Sequence, residues 1–274
     1  MQIQQVEQGV RATHGVLDQL SFPESTASLS SRFHAAMPFR HVTMDNLFKP
    51  ETLDALLVEI SQIKGAGWVS YKSQREEKLT QQSALSLGDA GFKLVSLLHS
   101  AAFLYLLSEI SEIWNLLPDP YLHGGGFSII PPHGKFDVHV DRNADASNGL
   151  TRRLALITYL NHDWLPEYGG SLELWNKDAT AKVAAVVPIF NRSILMEISE
   201  TGYHGITPVV EPHGRSRLAF MLYFNTAGGI LGKGNGVHST VFAPLAYRPK
   251  PNFRSLVRKV TPPIVFDLLR RRMV

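Results

Sequence analysis

From Leu122 onward the chain changes texture, and that change limits its fold more than any other feature. Short apolar or alternating runs are broken by clusters of Gly, Pro, Asn and Asp. The runs fall near residues 124–130, 136–141, 152–160, 171–175, 183–187, 192–198, 204–210 and 216–225. Alternation turns one face of each run toward a core, and the runs are short for helices. Many short strands at close spacing predict an antiparallel sandwich or barrel. Upstream the period differs. Glu51 to Ile60 carries apolar residues at helical spacing just after Pro50, which suits a helix start. A second helical region is predicted from about Phe92 to Leu117, ended by Pro118-Asp119-Pro120 because proline cannot continue a helix. The class is α+β, mainly β.

The polar stretch Phe22 to Ser31 reads as a loop, so residues 1–35 are expected to be an N-terminal arm. One body is expected over 36–227. The run 228–236 (GGILGKGNG) then opens a linker and tail, 228–274. Charge divides along the same line. The chain has 27 Lys and Arg against 24 Asp and Glu, a net +3. Eight of those cations lie between Arg248 and Val274, where Asp267 is the one acid, so that segment carries +7 and the rest is mildly acidic. An acidic body argues against a specific nucleic-acid partner. The tail has three readings: docking on the body, pairing with a second copy as a homodimer, or touching an anionic surface. With no cysteine, a disulfide framework, a thiolate metal site and a cysteine nucleophile are all excluded. No apolar run reaches the roughly 18 residues of a membrane span, so no transmembrane segment is expected. The first residues lack an apolar signal core, and the expected location is cytoplasmic.

The chemistry concentrates in Asp137-Val138-His139-Val140-Asp141. Residues i and i+2 share a strand face, so His139 and Asp141 can aim at one point while Val138 and Val140 face away. His204, which opens another apolar run, is a candidate third donor. Two histidines and one carboxylate form the facial triad of non-haem Fe(II) oxygenases, whose far side stays open. The His-x-Asp pair alone is weak, since the chain holds 11 histidines and such pairs arise by chance. Arg215 and Arg217 add independent weight. They head an apolar strand, where an unpaired cation is costly and an anion offsets the cost. A dicarboxylate cosubstrate supplies that anion, and a guanidinium holds it in a two-point fork.

The ordered set HVD (139–141), YLNHDW (159–164), GGSLELW (169–175), YHGITPV (203–209) and RSRLAFMLYF (215–224) resembles the 2-oxoglutarate/Fe(II)-dependent dioxygenases of the prolyl-4-hydroxylase-like superfamily, most of all its bacterial members. The likeness runs from about Pro38 to Thr226. It implies a double-stranded β-helix (jelly-roll or cupin-like) core flanked by N-terminal helices. It also implies a hydroxylase that inserts oxygen into an unactivated C–H bond and releases succinate and CO2. The cofactors implied are Fe(II), 2-oxoglutarate and O2, with ascorbate as a supporting reductant. His139, Asp141 and His204 match the iron ligands. The aspartate favours hydroxylation over the halogenation seen in relatives with a small residue there. Counting back from Tyr223-Phe224 favours Arg217 over Arg215 for the cosubstrate carboxylate, with both able to contribute. Tyr159 matches a tyrosine that hydrogen-bonds the same carboxylate. A second family tyrosine is replaced here by Ile129 or Ile130, and Ser128 is the nearby substitute. The substrate is a prolyl or other protein side chain, or a small metabolite. The competing readings are a cupin-type metal enzyme without 2-oxoglutarate and a non-catalytic jelly-roll binding module.

Overall fold

A computed structural model describes residues 20–21, 24–63, 67–81, 83, 86–145, 149–211, 213–227 and 238–244. Its elements in chain order are α1 (Thr26–Ala35), β1 (His41–Asp45), α2 (Pro50–Gln62), β2 (Val69–Lys72), β3 (Glu77–Gln81), α3 (Asp89–Leu98) and α4 (Ala101–Ser111). There follow β4 (Leu116–Pro118), β5 (Gly126–Ile130), β6 (Phe136–Val140), β7 (Ala144–Asp145), β8 (Leu150–Tyr159), β9 (Leu172–Trp175) and β10 (Lys182–Val186). The last are β11 (Arg192–Glu197), β12 (His204–Ile206), β13 (Arg217–Thr226) and β14 (Val241–Phe242).

Two antiparallel sheets result. The larger runs β1-β11-β8-β13-β5-β3-β2, with β4 on β13 and β7 on β8; the smaller runs β10-β9-β12-β6-β14. The period of two decides what lies between them. On β13, Phe220, Leu222 and Phe224 join Leu154 and Leu156 of β8 in a core shared with the helices. The alternate residues Ala219 and Tyr223, with Ala155, Ile157 and Tyr159, face Leu172 and Leu174 of the smaller sheet. The large sheet is thus apolar on both faces, one covered by helices and one by the second sheet. This is the mainly β, jelly-roll architecture expected from the strand pattern and the resemblance.

Three expectations are corrected. Residues within the expected loop 22–31 form α1, because Ser25 caps the Ser28 amide at 3.2 Å and Leu29 and Phe33, one turn apart, bury fully. The helical region near 92–117 is two helices bent by 52°, broken where Ser100 caps a new first turn, and its end is strand β4. Among the described residues no single helix is long and apolar enough to cross a membrane. The body does not end at 227, since β14 pairs with β6 in the smaller sheet. The chain divides into two compact units, Met1–Ala243 and Pro244–Val274. Residues 228–237, which include the glycine-rich run 228–236, and all but Pro244 of the second unit, with its basic tail, lie outside the described residues, as do residues 1–19 of the expected arm.

Candidate metal centre

The smaller sheet builds the centre. β6 and β12 are neighbours, and their register sets His204 opposite His139. Asp141 follows two residues after His139, on the same side, as alternation requires. Their donor atoms lie within 4.8 Å of one another, and all three residues are buried. His139 Nε2 stands 3.4 Å and His204 Nε2 3.7 Å from Asp141 Oδ1.

The second contacts of each ligand decide which atoms point inward. His139 Nδ1 donates to the Asp137 carbonyl at 2.8 Å, and His204 Nδ1 donates to the Gly202 carbonyl at 2.9 Å. Both rings are thereby held in the tautomer that leaves Nε2 with a lone pair. His139 Nε2 is buried with no hydrogen-bond partner among the described residues, which is costly unless something else fills the position. The Tyr223 hydroxyl donates to Asp141 Oδ2 at 3.1 Å, leaving Oδ1 toward the imidazoles. Burial pushes the Asp141 carboxyl up, but the His204 and His139 rings and the Arg152 guanidinium outweigh it and hold the group well below its usual range. Burial, then the His139 ring, lowers His204 to about 4. A neutral His204 imidazole and an ionised Asp141 carboxylate are therefore present at neutral pH, and with His139 Nε2 they make the donor set that suits a divalent first-row metal such as Fe(II).

The ligands border a cavity of about 200 Å³, room for far more than one water. Arg217, Ala219, Met221 and Tyr223 line it from alternate positions of β13, and Ile157, Leu172, Met196 and Ile206 supply apolar wall. Arg217 is 2% exposed. Its Nε donates to the Gly170 carbonyl at 2.8 Å, while Nη2 is buried with no hydrogen-bond partner among the described residues. Its guanidinium carbon lies 4.9 Å from the centre of the Tyr159 ring. Burial raises the Tyr159 phenol, and the Arg217 charge partly opposes this; its hydroxyl, too, makes no hydrogen bond of ordinary geometry among the described residues. Buried and unsatisfied donors at one end of a cavity are what a bound carboxylate would satisfy. Ser128, opposite Ala219 on β5, also lines the cavity.

Arg215 is elsewhere, and its expected share in the cosubstrate site is corrected. It precedes β13, pairs with the covered Glu211 carboxylate at 2.9 Å, donates to the His162 carbonyl at 2.9 Å and lies over Trp164 and Tyr168. Those contacts use its donors outside the cavity. Asp137 orients His139 through its backbone carbonyl, and its side chain pairs with Lys135 at 2.6 Å.

Several cavity residues carry no sequence signal of their own. The hairpin β2–β3 brings Tyr71, Glu76 and Lys78 to the rim, where Lys78 pairs with Glu76 at 2.9 Å and sits 3.7 Å from the centre of the Phe136 ring. β14 adds Thr240 and Phe242. Arg75 fixes that strand by donating to the Ala243 carbonyl at 3.0 Å and lying over the Phe242 ring.

Comparison with known proteins agrees with this geometry. Residues 125–230 match the family described as the 2OG-Fe(II) oxygenase superfamily. A stretch of 78 residues is 32% identical to prolyl 3-hydroxylase OGFOD1 of Xenopus laevis, covering 27% of this chain and 15% of that protein. The chain thus matches only a small part of that curated relative. In fold it is similar to a prolyl-4-hydroxylase of Pseudomonas putida, with a TM-score of 0.55 at 18% identity over 74% of this chain and 100% of the other. A prolyl hydroxylase of Trichoplax adhaerens, solved with a hypoxia inducible factor peptide fragment, aligns with a TM-score of 0.50 at 17% identity over 81% of this chain and 92% of the other.

Proposed function

We infer from the match of residues 125–230 to the 2OG-Fe(II) oxygenase superfamily, together with the geometry of the centre, that this chain is a 2-oxoglutarate- and Fe(II)-dependent hydroxylase. The observation that carries the reading is the convergence of His139 Nε2, Asp141 Oδ1 and His204 Nε2, with both histidine tautomers held by backbone carbonyls. Bound iron supplies the redox chemistry by which O2 and 2-oxoglutarate yield succinate, CO2 and a hydroxylated C–H position. The chain's own residues place the participants. His139, Asp141 and His204 hold the metal, and Tyr223 keeps the Asp141 carboxylate turned by occupying its second oxygen. Arg217 receives the far carboxylate of 2-oxoglutarate, with Tyr159 beneath the guanidinium and Ser128 on the adjoining strand. The Gly170 carbonyl holds Arg217 Nε, so the remaining fork is aimed without a search through rotamers. The apolar walls exclude water from the reacting groups. The prolyl hydroxylases it resembles make a proline ring, free or in a chain, the first substrate to try.

The reading is tested by succinate release from 2-oxoglutarate with Fe(II), and by the melting temperature with Mn(II) and 2-oxoglutarate together. Wild type is expected to release succinate and to be stabilised by the pair of ligands. His139→Ala and Asp141→Ala are expected to do neither while keeping the wild-type circular dichroism. Normal succinate release by both variants would sink the assignment.

A further inference from the structure

The cavity has a second cationic end that the cosubstrate does not use. Arg217 and Tyr223 line the same wall six residues apart on β13, a Cα separation of about 20 Å at strand rise. Around the Tyr223 end stand Arg142 and Arg152, both lining the cavity. Arg152 is 4% exposed; its guanidinium lies 4.0 Å from the centre of the Tyr223 ring and donates to the His123 carbonyl, and no carboxylate among the described residues pairs with it. Arg142 directly follows Asp141 and makes no hydrogen bond or ion pair among the described residues. The third rim cation, Lys78, is already neutralised by Glu76. Both arginines are near enough to the Tyr223 hydroxyl for their charges to act on it. Under the proposed function the cosubstrate, a five-carbon dicarboxylate, has one carboxylate at Arg217 and the other at the metal centre. It cannot satisfy Arg217 and also these arginines. A buried guanidinium beside an unpaired one, facing a cavity, is stable when a second anion joins them.

We propose that Arg142 and Arg152 bind the anionic group, a carboxylate or a phosphate, of a small-molecule substrate whose reacting C–H bond is thereby held beside the metal centre. The inference rests on the hydroxylase reading and deepens it. Arg142 is the specificity-determining residue, because no partner among the described residues holds its side chain from making the fork. Arg152 is held in place by its stack and its carbonyl. Smallness follows from the depth of Arg152, which a compact group can reach and a folded protein surface cannot.

The test uses the full-length protein and a cell metabolite extract that has passed a 3 kDa filter, divided on an anion exchanger into retained and unretained fractions. Two readouts are taken: added succinate release with Fe(II) and 2-oxoglutarate, and the shift in melting temperature of the Mn(II)–2-oxoglutarate protein. The retained fraction is expected to raise both. Arg142→Gln should cut the stimulation at least 10-fold, Arg142→Lys should restore part of it, and Arg32→Gln, which pairs with Glu24 and does not line the cavity, should match wild type. Loss of the effect after phosphatase treatment identifies a phosphate, and persistence identifies a carboxylate. Stimulation by the unretained fraction or by material above the filter, equal stimulation of Arg142→Gln, or no response in either readout would overturn the proposal. A thermal shift without succinate release would keep the anion site and overturn the hydroxylase reading instead.

Discussion

Two arginines two residues apart have opposite fates, and the difference lies in what touches them. Arg217 points between the sheets and keeps Nη2 unsatisfied, whereas Arg215 spends its donors on Glu211 and the carbonyls of the 162–163 turn. A charge-assisted hydrogen bond contributes about 1.5–3 kcal/mol, so Arg217→Ala should raise the KM for 2-oxoglutarate by about 10- to 100-fold. Arg215→Ala should leave that KM within about twofold and lower the melting temperature, because it strands the covered Glu211 carboxylate. The reverse order in steady-state kinetics would assign the carboxylate to Arg215. Tyr223 offers a narrower probe. Tyr223→Phe keeps the ring beneath Arg152 but removes the hydroxyl from Asp141 Oδ2. Loss of such an orienting bond typically costs 10–100-fold in metal affinity. A Mn(II) titration should therefore show at least a 10-fold weaker site with an unchanged circular dichroism spectrum, and equal affinities would mean that the bond does not orient Asp141.

At the scale of elements, β3 and β5 approach closely at Gly126. Gly126 opens β5 at a φ of +81°, and a Cβ there would lie 1.9 Å from the Gln81 carbonyl oxygen. Gly126→Ala should cost about 3 kcal/mol or more in urea unfolding, and part β3, with its rim residue Lys78, from β5. A loss below about 1 kcal/mol would show that the seam can relax. Which elements could be read from the chain follows the same physics. β8, β11 and β13 alternate or are uniformly apolar because both faces of their sheet are covered, and they stood out at once. α2 was legible from Leu53, Leu56 and Ile60 at helical spacing. β14 was not, because two residues after a glycine-rich run have no period; their place comes from backbone pairing to β6 and from Arg75, 167 positions before Phe242. α1 hid for the opposite reason, since its Ser-rich surface face dilutes the Leu29–Phe33 stripe. In the site, the two donors on one strand were visible as a pattern of period two. Tyr223 as the partner of Asp141, Arg152 above it and the rim hairpin were not, because each meets the centre through contacts distant in sequence.

For the molecule as a whole, buried histidines set the acid limb of stability. Burial lowers His41, His99 and His204 below the usual histidine value of 6.5, the last to about 4. The unfolded chain thus binds protons in a range where the folded one resists them, so stability is full above about pH 6.5 and falls as pH drops toward 4. Asp45, held down by its bond to Arg192, and Asp141 extend the loss below that range. Urea midpoints of the metal-free protein should decline from pH 7.5 to 4.5 by an amount equivalent to about 2 kcal/mol or more, and a flat profile would contradict the burial of these rings. The pairing of β6 with β12 also has a consequence in time. His139 and Asp141 leave the ribosome 65 and 63 positions ahead of His204. At about 5–20 residues per second, the nascent chain spends about 3–13 s with two donors on a strand whose neighbour does not yet exist. Iron is then a guest of the finished fold and no template for it, so newly made protein should accumulate in iron-starved cells as a folded, loadable reserve.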